Sequence, residues 1–165
     1  LGQAVETSQE SFLIIGDLAY FYDMNALRIK HIGRNVHILL INNHGGSEFY
    51  FNSIWQNTAS DLHTTARHNN TAEGWVKSNN FIYLSANDKK SFVENLPRFM
   101  SSENDRPIFF EVFTEMKTDA DIIHSFFDLS RPKDLKTETL RKGKEFVKRY
   151  LGQEKAKKIL GILKK

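Results

Sequence analysis

SFLIIGDLAYFYDMNALRIKHIGRNVHILLINNHGG, residues 11 to 46, contains two short apolar runs, Phe12-Leu13-Ile14-Ile15 and Val36-His37-Ile38-Leu39-Leu40-Ile41. Each ends in polar punctuation: Gly16-Asp17 after the first, Asn42-Asn43 and then Gly45-Gly46 after the second. Runs this short, rich in β formers and almost continuously apolar, are those of strands buried on both faces of a parallel sheet. Between them Asp23 to Ile32 supplies a polar start and apolar residues at helical spacing, and Gly33 supplies a stop. The stretch is predicted as one βαβ crossover with its helix over 23–32. A right-handed crossover brings the carboxyl ends of both strands to one rim, where open α/β sheets collect ligands, so Asp17 and Asn43 are expected to be near neighbours.

The chemistry at that rim is specific in kind. A carboxylate oxygen, a side-chain amide oxygen and a carbonyl from a glycine turn make a hard oxygen set suited to Mg2+, which also keeps phosphate oxygens and water. Glycines at 45 and 46 let the backbone come close and take positive φ, and the helix near Asp23 is expected to turn its dipole toward an anion. The stretch therefore reads as a clamp for a divalent cation and a diphosphate. Either dipeptide alone is ordinary turn punctuation; the two in this order, each after a buried strand, are what carry the reading.

Gly-Asp at a strand end, followed across a crossover by Asn-Asn and a glycine, resembles the signature of thiamin diphosphate-dependent enzymes, and the likeness covers residues 1 to about 130. Within that superfamily GDLAYFYDMNAL and LLINNHGGSEFYF are most similar to the synthases of menaquinone biosynthesis that make 2-succinyl-5-enolpyruvyl-6-hydroxy-3-cyclohexene-1-carboxylate, which carry GDL where GDG is commoner. The resemblance implies a fold with a three-layer parallel sheet and helices on both faces. It implies Mg2+ ligands at Asp17, Asn43 and the carbonyl of Gly45, and diphosphate contacts at Gly16, Leu18, Ala19 and Gly46. Ser47, Glu48 and Phe49, just past the glycines, are the substrate-side candidates, against an equal alternative in which the aromatics simply pack in the core. Two departures are visible: the 23 residues between Leu18 and Asn42 make a slightly short gap, and His44 stands where Asp, Asn or Gly is more usual.

The resemblance also implies what these residues lack. The Glu that activates the cofactor belongs to a pyrimidine-binding domain outside this sequence, so no catalytic residue is assigned here, and Glu111 in its apolar run is read as structural or as an interface residue. The opening Leu-Gly-Gln-Ala-Val-Glu-Thr has no Met and no signal pattern and reads as the end of a helix, hence as part of a longer chain. Partners are then the remaining domains of the same chain, with a homodimer or homotetramer expected and no nucleic acid. The reaction implied is decarboxylation of a 2-oxo acid and transfer of the acyl unit. A simple decarboxylase or acetolactate-type carboligase is the near alternative, and a scaffold domain or half of a two-subunit enzyme the distant ones.

At 165 residues with 40% apolar and 26% charged residues, the sequence is long enough for one domain with a substantial core. The absence of cysteine excludes disulfides and Cys-ligated zinc, no run is a membrane span, and a cytoplasmic setting fits. Charge splits the chain: residues 1–130 hold 10 Lys and Arg against 16 Asp and Glu, a net of minus six, while 131–165 hold 13 against 4, a net of plus nine. The division is read as a thiamin diphosphate domain, 1–130, and a basic helical extension, 131–165, with amphipathic stripes either side of Gly152. Docking on its own acidic body is the extension's default role; anionic lipid or a nucleic-acid backbone is the minor one.

The rest repeats strand then helix. Residues 52–71 are polar and are expected to be the mobile part, with His63, Arg67 and His68 on one helical face that either grips an anion or is solvated surface. Thr71–Lys77 reads as a short helix and Phe81–Ser85 as a third strand. Asp88 caps a helix with Pro97 late in it, Ile108–Phe113 is a fourth strand, and Asp119 begins a last helix.

Overall fold

A computed structural model describes residues 1–50 and 64–130. The chain divides into two compact units, Leu1–Ser125 and Phe126–Lys165; of the second only the end of a helix, 126–130, is described, and the basic extension lies outside the described residues.

In the first unit four strands, β1 (Ser11–Gly16), β2 (Val36–Asn42), β3 (Ile82–Ala86) and β4 (Ile108–Phe113), form one sheet in the order β1-β2-β4-β3, every pair parallel. The α/β reading holds, and β2, β3 and β4 fall on the predicted runs to within a residue at either end. The helices are α1 (Gly2–Val5), α2 (Asp17–Tyr22), α3 (Ser47–Tyr50), α4 (Glu73–Ser78), α5 (Lys89–Met100) and α6 (Met116–Ser130), with a 3-10 turn over Met24–Arg28. None of the described helices is long and apolar enough to cross a membrane.

Side chains that alternate along the strands build two cores. Ile38, Leu40 and Phe109 join Tyr20, Leu27, Ala72, Val76 and Phe81 on one face. Ile82, Leu84, Ile108 and Phe110 join Phe99 on the other, with Phe92, Leu96 and Leu39 packed alongside. Such two-sided burial is why β2 and β4 read as continuous apolar runs.

Two expectations fail here for identifiable reasons. The crossover helix does not start at Asp23: α2 begins at Asp17, directly off the strand, and the 23–32 stretch contains only the 3-10 turn. Asp23 makes no side-chain cap, whereas Gly16, extended, is the residue before the first helical turn. The helix dipole therefore sits at Asp17 rather than Asp23. The second failure is β1, expected to be buried on both faces. It lies at the sheet edge, and Ile14 is 71% exposed and Phe12 48% exposed. Helix α5 covers the β3 and β4 side of that face and leaves β1 open.

Asp88 caps α5 as expected, through a capping box in which its carboxylate accepts from Ser91 N and Ser91 Oγ lies 3.2 Å from Asp88 N. The bond from Ser91 N, and then one from Ser91 Oγ to the same carboxylate, hold the Asp88 carboxyl below its ordinary range. The helix runs on through Pro97 to Met100. The last helix starts at Met116, three residues before the expected Asp119, so Asp119 lies in its first turn. Residues 51–63, including His63, are outside the described residues, and 67–70 are not helical, so the shared helical face of Arg67 and His68 does not form.

Candidate functional site

Asp17, Asn43 and the glycine turn come together at the carboxyl ends of β1 and β2. The register puts Gly16 beside Ile41, so the two strands end level with each other and their exits diverge from one point. Asp17 is 3% exposed. Its Oδ1 accepts from Leu18 N at 2.7 Å and its Oδ2 from Gly45 N at 2.9 Å. The second bond joins the first loop to the second. A carboxylate has lone pairs beyond those two donors, so it remains able to bind a cation.

Asn43 completes the set differently. Its Nδ2 donates to Asp119 Oδ2 at 3.0 Å, while its Oδ1 is buried and has no hydrogen-bond partner. A buried amide oxygen left without a donor is costly unless something outside the chain meets it, and a hard cation is one such thing. No group of three His, Cys, Asp or Glu that could hold a metal is found among the described residues, so a cation at this rim would draw on the Asp17 carboxylate together with amide and carbonyl oxygens. That donor set fits Mg2+.

The glycine turn has little room. His44 has φ 65° and Gly45 φ 155°. A Cβ at Gly45 would lie 2.7 Å from the Thr65 carbonyl oxygen and 2.6 Å from Met116 Cε, and one at Gly46 would lie 2.8 Å from the Phe49 ring. The segment 64–72 holds the turn in place: Gly46 N donates to Thr65 O at 2.7 Å, His68 N to His44 O at 3.1 Å, and Asn42 Nδ2 to Asn70 O at 3.0 Å. Gly45→Ala is expected to cost about 1–3 kcal/mol, since backbone as well as a side chain must move. Chemical denaturation measures this, and an unshifted midpoint would contradict the packing.

A cleft of about 700 Å3 opens at this rim. Gly16, Asp17, Leu18, Ala19, Asn43, Gly45 and Gly46 all line it, as do Ser47 and Glu48; Phe49 does not, and its ring lies against Gly46. The Leu18 N–H is taken by Asp17, and its side chain approaches Gly46. The far wall is apolar, from Leu39, Ile41, Phe92, Val112 and Ile122. A polar rim over an apolar wall can hold a ligand with an anionic end and an uncharged body.

Asp119 and Thr114 have no site role in the sequence reading, His68 has one only as part of a helical face, and Asn42 only as the neighbour of Asn43. Asp119 and Thr114 line the cleft, with Thr114 Oγ1 donating to Asp119 Oδ2 at 2.7 Å. His68 Nε2 lies 3.2 Å from Asp17 Oδ2, without hydrogen-bond alignment. Asn42, fully buried, donates to Glu111 Oε1 at 2.7 Å and accepts from His44 N at 3.2 Å. The rule that ligands gather at carboxyl ends, applied to β4 as well as β1 and β2, would have found Thr114; nothing local pairs His68 with Asp17.

Glu111 has no place at the cleft. It is fully buried below the rim and accepts from Ala72 N, Asn42 Nδ2 and Tyr83 Oη. Burial first, then the hydrogen bond and charge of Glu111, push the Tyr83 hydroxyl well above its ordinary range. Burial and the same charge do so for Tyr20.

No protein-family model matches the chain. Curated relatives do. The chain is 36% identical over 129 residues to the 2-succinyl-5-enolpyruvyl-6-hydroxy-3-cyclohexene-1-carboxylate synthase of Phocaeicola vulgatus, and 36% to that of Bacteroides fragilis, in each case over 77% of this chain. The synthase of Flavobacterium johnsoniae is 33% identical over 128 residues. The chain spans 23% of the length of each of these relatives. With its parallel sheet and its Gly-Asp and Asn-Asn loops meeting at one rim, the chain is similar, over the residues matched, to the 2-succinyl-5-enolpyruvyl-6-hydroxy-3-cyclohexene-1-carboxylate synthase family.

Proposed function

We propose that these residues are the diphosphate- and magnesium-binding part of a thiamin diphosphate-dependent enzyme that decarboxylates a 2-oxo acid and transfers the acyl unit to an acceptor. The observation that carries this is the Gly45 N to Asp17 Oδ2 hydrogen bond of 2.9 Å, which closes two loops around a buried, unpartnered Asn43 Oδ1. Asp17, Asn43 and the Gly45 carbonyl are the proposed Mg2+ ligands. Gly16, Leu18, Ala19 and Gly46 are the proposed surroundings of the diphosphate, with Ser47 and Glu48 on the substrate side.

Bound thiamin diphosphate supplies an electron sink for loss of CO2 from a 2-oxo acid. The residues present bind and orient: two strand-end loops hold the charged end, the glycine turn allows close approach, and the apolar wall excludes water from the body of the ligand. The Glu that would activate the cofactor is expected in a domain outside these residues, so the chain by itself is proposed to bind the diphosphate weakly and to catalyse nothing. The complete site is proposed to form between two kinds of domain in at least a homodimer, in the cytoplasm. A succinyl unit delivered with loss of CO2 comes from a five-carbon 2-oxo diacid, which is the donor proposed by analogy with the relatives' product.

The test is calorimetry of the intact protein with thiamin diphosphate, with and without Mg2+, together with CO2 release from 2-oxo acids of different length. Saturable binding that requires Mg2+, and turnover of the five-carbon diacid over pyruvate, is expected. Binding indifferent to Mg2+, or none, would overturn the proposal.

A further inference from the structure

An amide side chain has two ends of similar shape and opposite chemistry. Its oxygen can meet a cation, whereas its NH2 group, turned the same way, repels one. The orientation of Asn43 therefore decides whether it can serve a cation at all. An ionised carboxylate only accepts, so Asp119 Oδ2, 3.0 Å away, pairs with the Nδ2 end and not the Oδ1 end. Asp119 is held in turn by Thr114 Oγ1 at 2.7 Å, and Thr114 N donates to the Asn42 carbonyl at 3.0 Å. The contacts run from the end of β2 to the end of β4, on to the first turn of α6, and back to the residue after β2.

We propose that Asp119 is a positioning residue for the cation site: with Thr114 as its anchor, it locks the Asn43 amide so that Oδ1 faces the metal. The inference rests on the proposed cation site and goes beyond it, because Asp119 itself acts by orientation and not as a ligand. Partners one shell out from a metal typically contribute 10–100-fold in affinity.

The experiment uses the intact protein with thiamin diphosphate and Mn2+ in place of Mg2+, reading free Mn2+ by electron paramagnetic resonance. Asp119→Ala should weaken Mn2+ by about 10- to 100-fold. Asp119→Asn keeps a carbonyl oxygen that can accept from Asn43, so it should stay within about threefold of the parent. Thr114→Val should fall between them. The decisive arm is Asn43→Asp, which has an oxygen at both ends and no orientation to lose; in that background Asp119→Ala should cost little or even help.

Equal weakening by Asp119→Asn and Asp119→Ala would overturn the proposal in favour of simple charge. So would an Asp119→Ala loss undiminished in the Asn43→Asp background, or no loss at all. A parent protein that binds no Mn2+ would overturn the cation site itself, a distinct outcome. Melting temperatures taken without metal check that each variant is folded.

Discussion

Asp17→Ala in the intact protein is expected to abolish Mg2+-dependent binding of thiamin diphosphate, a loss greater than about 100-fold, the upper end of what an outer partner contributes. Asp17 does two jobs in one place. It is the only full negative charge among the three proposed ligands, and its Oδ2 accepts from Gly45 N, so its removal opens the junction between the loops and leaves a buried donor unpaired. Asn43→Ala removes a ligand and leaves that junction intact. The two variants should therefore lose the cation alike, while only Asp17→Ala also lowers the melting temperature of the metal-free protein. Calorimetry with Mg2+ and a thermal melt without it separate the two jobs. Retained Mg2+-dependent binding in Asp17→Ala would contradict the proposed site.

Glu111→Ala should be the most destabilising single change. Three donors converge on this fully buried carboxylate: Ala72 N on both oxygens at 3.1 and 3.0 Å, Asn42 Nδ2 at 2.7 Å and Tyr83 Oη at 2.6 Å. Orphaning a buried donor costs about 1–3 kcal/mol, so the two buried ones, Ala72 N and Asn42 Nδ2, set a floor of about 2 kcal/mol, to which the half-buried Tyr83 hydroxyl adds. Glu111→Gln keeps one acceptor oxygen and should cost less. Because Asn42 precedes the proposed ligand Asn43, the damage should spread to the site, and cation affinity should fall along with stability. Urea unfolding at neutral pH measures the first effect; a midpoint within experimental scatter of the parent would show that the network is not what holds β4 to the 64–72 segment.

Most of the fold was legible because its strands obey one rule. β2 and β4 are buried on both sides, and a continuous apolar run bounded by turn residues marks them in any setting. β1 obeys the same pattern and is nevertheless largely exposed, because sequence shows what a strand can bury and not whether anything covers it. The crossover helix was misplaced for another reason. Asp23 looks like a cap, but α2 starts at Asp17, whose carboxylate accepts from Leu18 N and from the second loop instead of capping a later turn.

The site was legible where it is local. Gly-Asp and Asn-Asn-x-Gly are contiguous signatures, and the expected residues other than Phe49 line one cleft. What could not be read was distant pairing. Asp119 lies 76 residues from Asn43, and its role depends on β4 lying beside β2, a pairing that skips β3 in the chain. His68 reaches Asp17 only because the 64–72 segment folds back over the glycine turn. Each is an ordinary polar residue until topology gives it a neighbour.

The central claim is that the loop bearing Asp17 and the loop bearing Asn43 serve one divalent ion. Crystals of the intact protein grown with thiamin diphosphate and Mn2+ test it through anomalous scattering at the manganese edge. One peak is predicted, within about 2.0–2.3 Å of an Asp17 carboxylate oxygen, Asn43 Oδ1 and the Gly45 carbonyl. A peak elsewhere, or one touching only a single loop, would contradict the account.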